Sequence, residues 1–179
     1  MLFSKIFLLL WMLLPANNAW IRTVTDQDIS FLMPYHPEKI QKTINGIPSY
    51  VYQTKDLTCV FGVVCSDFGA KGLKITQEDT PRLYKELKAG TLTVPTAQLK
   101  EEKTIPYDDM IIKEIEYSIY KDNYEMTYFK RFIFRDNYVY QITIGGRTRF
   151  LDILEEGREV FFNSISFPSK EKPDTTKEK

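Results

Sequence analysis

The stretch from Ile111 to Phe167 constrains the chain most, because it reads as three consecutive strands closed by one helix. In the first run, Ile111, Ile115, Tyr117 and Ile119 share one parity, and Glu114, Glu116 and Ser118 share the other. A period of two marks a strand with one buried face. The third run repeats this, with Tyr138, Tyr140, Ile142 and Ile144 against Gln141 and Thr143. The middle run, from Tyr124 to Arg135, is apolar on both parities, as a strand covered on both sides would be. Aromatic and β-branched residues dominate all three, as a pleated surface favours.

Asp122-Asn123 and Asp136-Asn137 separate the runs, and both residue types tolerate the left-handed backbone of tight hairpins. The first turn fits a two-residue loop that sets Lys121 opposite Tyr124. The second matches apolar faces if the loop has three residues and Phe134 opposes Tyr138. That register gathers Glu114, Glu116, Arg131, Gln141 and Thr143 on one polar sheet face, the candidate binding surface. It is a sensitive assignment, since a slip of one residue inverts every side chain.

Gly145-Gly146 then breaks the pattern, and a helix follows with Arg147 or Thr148 near its first turn. Phe150, Ile153, Leu154, Gly157, Phe161, Ser164 and Ile165 form its inner stripe at spacings of three and four. Gly157 costs roughly 1 kcal/mol against Ala in a helix interior, so its place on the stripe points to close approach to the sheet. Exposed amides at Gly145 and Gly146, with Arg147 and the helix dipole, make a candidate anion site. An ordinary tight turn is the competing account of the same residues.

The N-terminus reads as an export signal over residues 1–19. Lys5 precedes an unbroken apolar run from Ile6 to Leu14, and Ala19 is a plausible cleavage point. The run is too short for a membrane span, which needs about 20 residues. The mature chain is expected in the periplasm or outside the cell. Residues 20–167 suit one α+β domain. Residues 168–179, rich in Lys, Glu, Pro and Thr, read as a disordered charged tail. The chain carries 24 basic and 24 acidic residues, so no net charge points to nucleic acid.

Cys59 and Cys65 are the two cysteines. Export argues for a disulfide. On one regular strand, however, they share a face about 20 Å apart, beyond the reach of about 7 Å that a bridge requires. The strand reading favours separate buried thiols, and a bridge would need a bend near Gly62.

Upstream, Ile29 to Met33 forms a short strand ending at Pro34, followed by a Pro-bounded loop that holds His36. Asn45-Gly46 is a tight turn. Ser49–Thr54 and Thr58–Ser66 form a hairpin around Lys55-Asp56. Asp67 to Gly72 reads as a loop. Thr80-Pro81 opens a helix that Gly90 ends. A short turn from Thr96 to Leu99, a strand from Lys100 to Ile105 and a Pro106–Asp109 turn lead into the meander.

A short strand with a Pro exit (Ile29–Pro34), a hairpin, a helix, a Tyr- and Phe-rich meander and the ending Phe161-Phe162-Asn163-Ser164-Ile165-Ser166-Phe167 follow in this order. Over Ile21 to Phe167 the chain thus resembles the Mog1/PsbP-like fold family. The resemblance implies an antiparallel sheet layered with helices, an α/β/α sandwich. Proteins of this fold include photosystem II extrinsic subunits, a Ran-binding nuclear import factor and exported bacterial proteins, so it also implies binding or scaffolding rather than catalysis. It carries over no site residue, because fold does not fix function.

The chemical motifs are weak. Ser118-Ile119-Tyr120-Lys121 matches an S-x-x-K pattern, but Ser118 lies mid-strand without the partner motifs. Asp26, Asp28, Asp108 and Asp109 lack calcium-loop spacing. His36 has no activated nucleophile to serve, and two cysteines with one histidine make no zinc set. Neither a cofactor nor a metal is called for. The reading is an exported, non-catalytic binding or scaffolding module whose partner is a protein or envelope component. Two alternatives stand beside it: a soluble accessory subunit of a membrane complex, and a small-ligand carrier or enzyme with a cleft between sheet and helix. An apolar pocket lined by Tyr117, Tyr128 and Tyr140 would favour the last.

Overall fold

The computed structural model describes residues 20–107 and 110–168. The stretch expected to be an export leader, the Asp108-Asp109 pair and most of the Lys- and Glu-rich C-terminal segment fall outside them. Nine strands and two helices follow in the order β1 (Ile21–Val24), β2 (Ser30–Met33), β3 (Glu38–Ile44), β4 (Ile47–Lys55), β5 (Cys59–Asp67), α1 (Thr80–Thr91), β6 (Ala97–Tyr107), β7 (Met110–Lys121), β8 (Tyr124–Arg135), β9 (Tyr138–Arg147) and α2 (Leu151–Asn163). Seven strands form one antiparallel sheet ordered β3-β4-β5-β9-β8-β7-β6, and β1 pairs with β2 as a separate ribbon.

The sheet has an apolar layer on each side, as the two-sided pattern of β8 requires. Ile112, Ile133 and Tyr140 align across β7, β8 and β9 on one face. There they join Phe61, Val63, Phe31, Leu154 and Phe161 in the larger core, capped by α2 and the β1–β2 ribbon. Phe161 packs edge-on against Phe61 at 5.4 Å and Phe31 at 6.3 Å. On the other face α1 lowers Tyr84 onto Phe132 at 5.4 Å, beside Ile115 and Tyr117. Helix, sheet and helix therefore stack as the expected sandwich.

The closing Phe-Ser-Phe ending has a physical role in this packing. Ser164 Oγ accepts from the Leu32 amide at 2.8 Å and donates to the Phe161 carbonyl at 2.6 Å. Ser166 exchanges backbone hydrogen bonds with Ser30 at 2.8 and 2.9 Å. The end of α2 is thereby tied to β2. Gly157 does approach the sheet, for a Cβ there would sit 3.2 Å from Ile144 Cδ1.

Both Asp-Asn turns are two-residue loops. Lys121 opposes Tyr124 as expected, with Asp122 and Asn123 at φ +50° and +65°. The second turn differs from expectation: Arg135 opposes Tyr138 and Phe134 opposes Val139. Asp136 takes the left-handed backbone at φ +53°, which closes the hairpin one residue earlier than apolar matching implies. Other elements extend past their expected limits. Directly after the Pro-bounded loop lies β3, which the sequence did not reveal because an exposed edge strand lacks apolar periodicity. β6, the other edge, runs from Ala97 and accommodates Pro106, as edges do. Charges on both edges oppose pairing with other chains. α1 continues through Gly90. Inner-stripe Ile153 is 48% exposed, and Phe162 is buried in its place.

Cys59 and Cys65 lie on β5 as separate buried thiols. Burial pushes the Cys65 thiol up to about 12. Among the described residues no helix is long and apolar enough to cross a membrane.

Candidate functional site

The sheet parts at one end. β6 and β7 stay paired out to Tyr107 and Met110, and β8 and β9 out to Arg135 and Tyr138. Between them, β7–β8 pairing stops at Ile112 and Ile133. The first turn of α1 and the loop before it wall this gap on one side, and Phe167-Pro168 on the other. The result is a cleft of about 870 Å³, within the usual size of ligand sites. Ile75, Tyr107, Met110, Ile111, Phe134 and Phe167 supply its apolar surface, and Thr76, Gln77, Thr80, Lys113, Arg135 and Asp136 line it as polar groups.

The walls are held by specific bonds. Asp79 accepts from the Thr76 hydroxyl at 2.7 Å and the Thr76 amide at 3.1 Å, and these bonds hold its carboxyl below the usual range. Pro81 enters the first helical turn, where a missing N–H costs nothing. Tyr84 donates to Glu102 at 2.7 Å, and Lys88 donates to the other Glu102 oxygen at 2.7 Å. Burial, and then the Glu102 carboxylate, hold the Tyr84 phenol protonated well above its ordinary range. Lys88 and Tyr84 in turn lower the Glu102 pKa. This trio clamps α1 to β6.

Two cations face the cleft. Lys113 donates to Thr104 Oγ1 at 2.7 Å and makes no ion pair among the described residues. Arg135 stacks on Phe167 at 4.8 Å, donates from Nη2 to the Pro168 carbonyl at 3.1 Å, and approaches Asp136 from Nε at 3.5 Å. Its Nη1 is buried with no acceptor among the described residues. A buried unsatisfied donor is uncommon in folded proteins and calls for an explanation.

The five residues of the candidate binding surface do not lie together. Glu114 pairs with Arg131 across β7 and β8, but Arg131 opposes Ile142, not Gln141. Gln141 opposes Phe132 and Thr143 opposes Lys130, which puts both on the α1 face. The shorter second turn is the cause, since one residue of slip moves the β9 set across the sheet. Glu114 is also far from solvated at 2% exposure. It accepts from Arg131 Nε at 2.5 Å and Arg158 Nη1 at 3.4 Å beneath α2. Glu116, on the same face, is half-buried.

The candidate anion site is not a loop. Gly145 and Gly146 lie within β9, laddered to β5 and β8, so their amides belong to the sheet. A Cβ at Gly145 would fall 2.1 Å from the Tyr128 ring, and one at Gly146 would fall 2.6 Å from the Thr58 carbonyl. Close packing, not anion binding, accounts for the pair. Arg147 lies over Tyr124 at 4.0 Å, and α2 starts only at Leu151.

The expected tyrosine pocket is also divided. Tyr117 stacks on Tyr128 at 5.2 Å on the α1 face. Tyr140 faces α2 and donates to the Gln27 carbonyl at 2.7 Å. A cleft between sheet and helix does exist, but different tyrosines, Tyr84 and Tyr107, line it. Its one sequence signal is Arg135, a charge ending an apolar strand directly before a turn.

No protein-family model matches the sequence, and no curated protein does. Among solved structures, the chain is similar to the solution structure of cyanobacterial PsbP (CyanoP) from Synechocystis sp. PCC 6803. The TM-score is 0.58 at 14% identity, over 86% of this chain and 95% of that one. A Pseudomonas aeruginosa protein of unknown function, PA94, matches at TM-score 0.47 and 12% identity, over 78% of this chain and 91% of that one. LpqN, described as involved in cell envelope biogenesis of Mycobacterium tuberculosis, matches at TM-score 0.43 and 13% identity, over 86% and 88%. The chain has the PsbP-like fold.

Proposed function

We propose that the chain is an exported, non-catalytic binding module of the cell envelope, and that the cleft at the parted ends of β7 and β8 holds its partner. The observation that carries this reading is the cleft itself, a site of about 870 Å³ whose surface is apolar and polar in near-equal share, with Lys113, Arg135 and Asp136 among its charged groups. The Lys5-to-Ala19 leader supports export. Binding rather than turnover is supported by the groups lining the cleft. Tyr84 is held protonated by burial and Glu102, which keeps its phenol from acting as a proton acceptor. A carrier for a small ligand would use the same cleft, and the test separates the two.

The test is a photo-crosslinking residue placed at Ile111, which is 56% exposed at the cleft, and at fully exposed Leu57 as a control. The full chain is expressed and crosslinked in intact cells. The expected result is one partner captured in near-equal amount from Ile111 and not from Leu57, and displaced by excess purified mature chain. A crosslinked small molecule would support the carrier instead. Equal capture at both positions, or none at Ile111, would overturn the cleft as the binding site.

A further inference from the structure

We infer that the end of the sheet opposite the cleft docks on a phospholipid surface, with Arg147 and Arg149 on lipid phosphates and the apolar tips of its turns in the headgroup layer. Antiparallel pairing brings four connections to that end. The β4–β5 turn carries Lys55 and Leu57, and the β7–β8 turn carries Lys121 and Tyr124. Val94 lies in the link from α1 to β6, which the Thr96 hydroxyl ties to the Tyr120 carbonyl at 2.8 Å. Arg147 ends β9, and a short turn from Thr148 to Phe150 leads to Ile153 in the first turn of α2. Leu57 is fully exposed, and Val94, Tyr120, Tyr124 and Ile153 are exposed beside it. Single apolar residues are ordinary on a protein surface, but these five stand on separate connections that share one end. They form no continuous face of the kind a protein interface packs against. A fluid surface yields to each tip separately, and tyrosine suits its boundary, with an apolar ring and a wet hydroxyl.

Cations flank these tips. Lys55, Lys121, Arg147 and Arg149 make no ion pair among the described residues. The guanidiniums of Arg147 and Arg149 lie over the Tyr124 and Phe150 rings at 4.0 and 4.6 Å. Stacking occupies the guanidinium face and leaves the in-plane N–H donors free, the edge that forks a phosphate. A recess of about 350 Å³ lies here, lined by Tyr124, Glu125, Arg147, Thr148 and Arg149. Two acids of this end are engaged: Asp56 accepts from the Thr58 and Cys59 amides at 2.7 and 2.6 Å, and Glu125 faces Lys100 at 3.6 Å. Asp122 and Asp152 remain against the four cations. The 12 residues of β8 separate this end from the cleft, roughly 40 Å at the usual rise. Docking therefore leaves the cleft open and does not depend on what the cleft holds.

The test is sedimentation of the mature chain with vesicles of phosphatidylglycerol and phosphatidylcholine in equal parts, at about 0.1 M salt. Saturable binding is expected. Arg147→Gln with Arg149→Gln should weaken it about twentyfold, from about fivefold for each surface cation, and Leu57→Ser should weaken it severalfold. Lys42→Gln with Lys71→Gln removes the same charge from exposed positions toward the other end, and should leave binding unchanged. An unchanged circular dichroism spectrum and Tm certify the fold of each variant. A second measurement needs no substitution: a spin-labelled lipid should broaden the backbone amides of Leu57, Asn123 and Arg149 and spare those of Ile111 and Phe134. Absence of sedimentation, an equal loss in the lysine variant, or broadening centred on Ile111 would overturn the docking. Displacement from the vesicles by glycerol phosphate, beyond that by chloride at equal ionic strength, would assign the recess to a free phosphate and overturn the lipid surface. A photo-crosslinker at Leu57 then captures lipid and not the protein caught at Ile111, so either result can fail without the other.

Discussion

Replacing Glu114 tests how α2 is fastened to the sheet. The carboxylate is almost fully buried and accepts from two guanidiniums, Arg131 at 2.5 Å and Arg158 at 3.4 Å. Each guanidinium also lies over an aromatic ring, Arg131 over Phe162 at 4.4 Å and Arg158 over Phe129 at 4.5 Å. Arg131 further donates to the Phe162 carbonyl at 3.1 Å. Sheet and helix are thus joined through one acid. Glu114→Ala removes two charge-assisted bonds, each worth roughly 1.5–3 kcal/mol. It also leaves two cations without their counter-charge, and breaking a buried pair in this way costs about 3–5 kcal/mol. The arginine side chains keep 15% and 23% exposure, so water recovers part of the loss. The expected cost is about 2–4 kcal/mol. For a domain of this size that lowers Tm by roughly 5–15 °C.

Urea denaturation followed by circular dichroism measures the change, with the slope checked for two-state behaviour. The design gains a second arm from the asymmetry of buried pairs. Removing one partner is costly, whereas exchanging both for apolar residues of similar size is often near neutral. Glu114→Leu combined with Arg131→Met should therefore be more stable than Glu114→Leu alone. A loss below about 1 kcal/mol for Glu114→Ala would place the site among surface pairs. It would refute the argument that the acid fastens α2, leaving that to the packing of Leu154, Phe161 and Phe162 and to the Arg131 and Ser164 hydrogen bonds.

Two further predictions follow from groups on the α1 face. Burial pushes the Lys130 ammonium down to about 8, with Thr91 Oγ1 at 3.1 Å as its hydrogen-bond partner. The unfolded lysine titrates near 10.4, so the unfolded chain holds the proton more tightly between these values. This group's contribution to stability therefore rises with pH from about 8 to about 10.4, and the charged form costs stability at pH 7. Lys130→Met should stabilise the fold at pH 7 by roughly 1 kcal/mol, with the advantage fading above pH 8. The difference from wild type is the quantity to follow, because the raised Cys65 thiol pulls stability the other way above about pH 8.5. A side-chain NMR titration of Lys130 centred near 10.4 would show that the ammonium is hydrated and refute this. Gly145→Ala should cost about 1–3 kcal/mol by overpacking, because the new Cβ falls on the Tyr128 ring. Tyr128→Ala in the same chain should recover part of that loss in urea, and no recovery would mean that the ring is not the obstacle.

Long periodic runs made the layered meander and its closing helix legible in the sequence. The burial of Ile115, Tyr117 and Phe132 under one helix and of Tyr140, Ile142 and Ile144 under the other follows their parity. β3 was illegible because an exposed edge needs no apolar face, and only Ile40 and Ile44 interrupt its exposed polar residues. Glu114 read as solvated because a carboxylate on an alternating strand ordinarily is. Its burial depends on Arg131, on the next strand, and on Arg158, 44 residues away. Neither link leaves a local trace. Gly145-Gly146 read as a turn since double glycine usually marks one, whereas here a tyrosine ring and a carbonyl fill the space of the missing side chains.

The candidate surface and the observed cleft are separated by a single residue of hairpin register. A three-residue second turn would have set Phe134 opposite Tyr138 and gathered the polar residues of three strands into one face. The two-residue turn sets Arg135 opposite Tyr138 instead, and this places Arg135 as the last rung of β8–β9 rather than in a loop. Its backbone is then committed to β9, Phe134's is committed to the β7 side, and the guanidinium emerges at the parted end of the sheet. Hydrophobic matching favoured the longer loop because it counted only side chains. The left-handed Asp136 chose the shorter one. The same backbone choice that dispersed the polar face therefore positioned the arginine at the rim of the cleft.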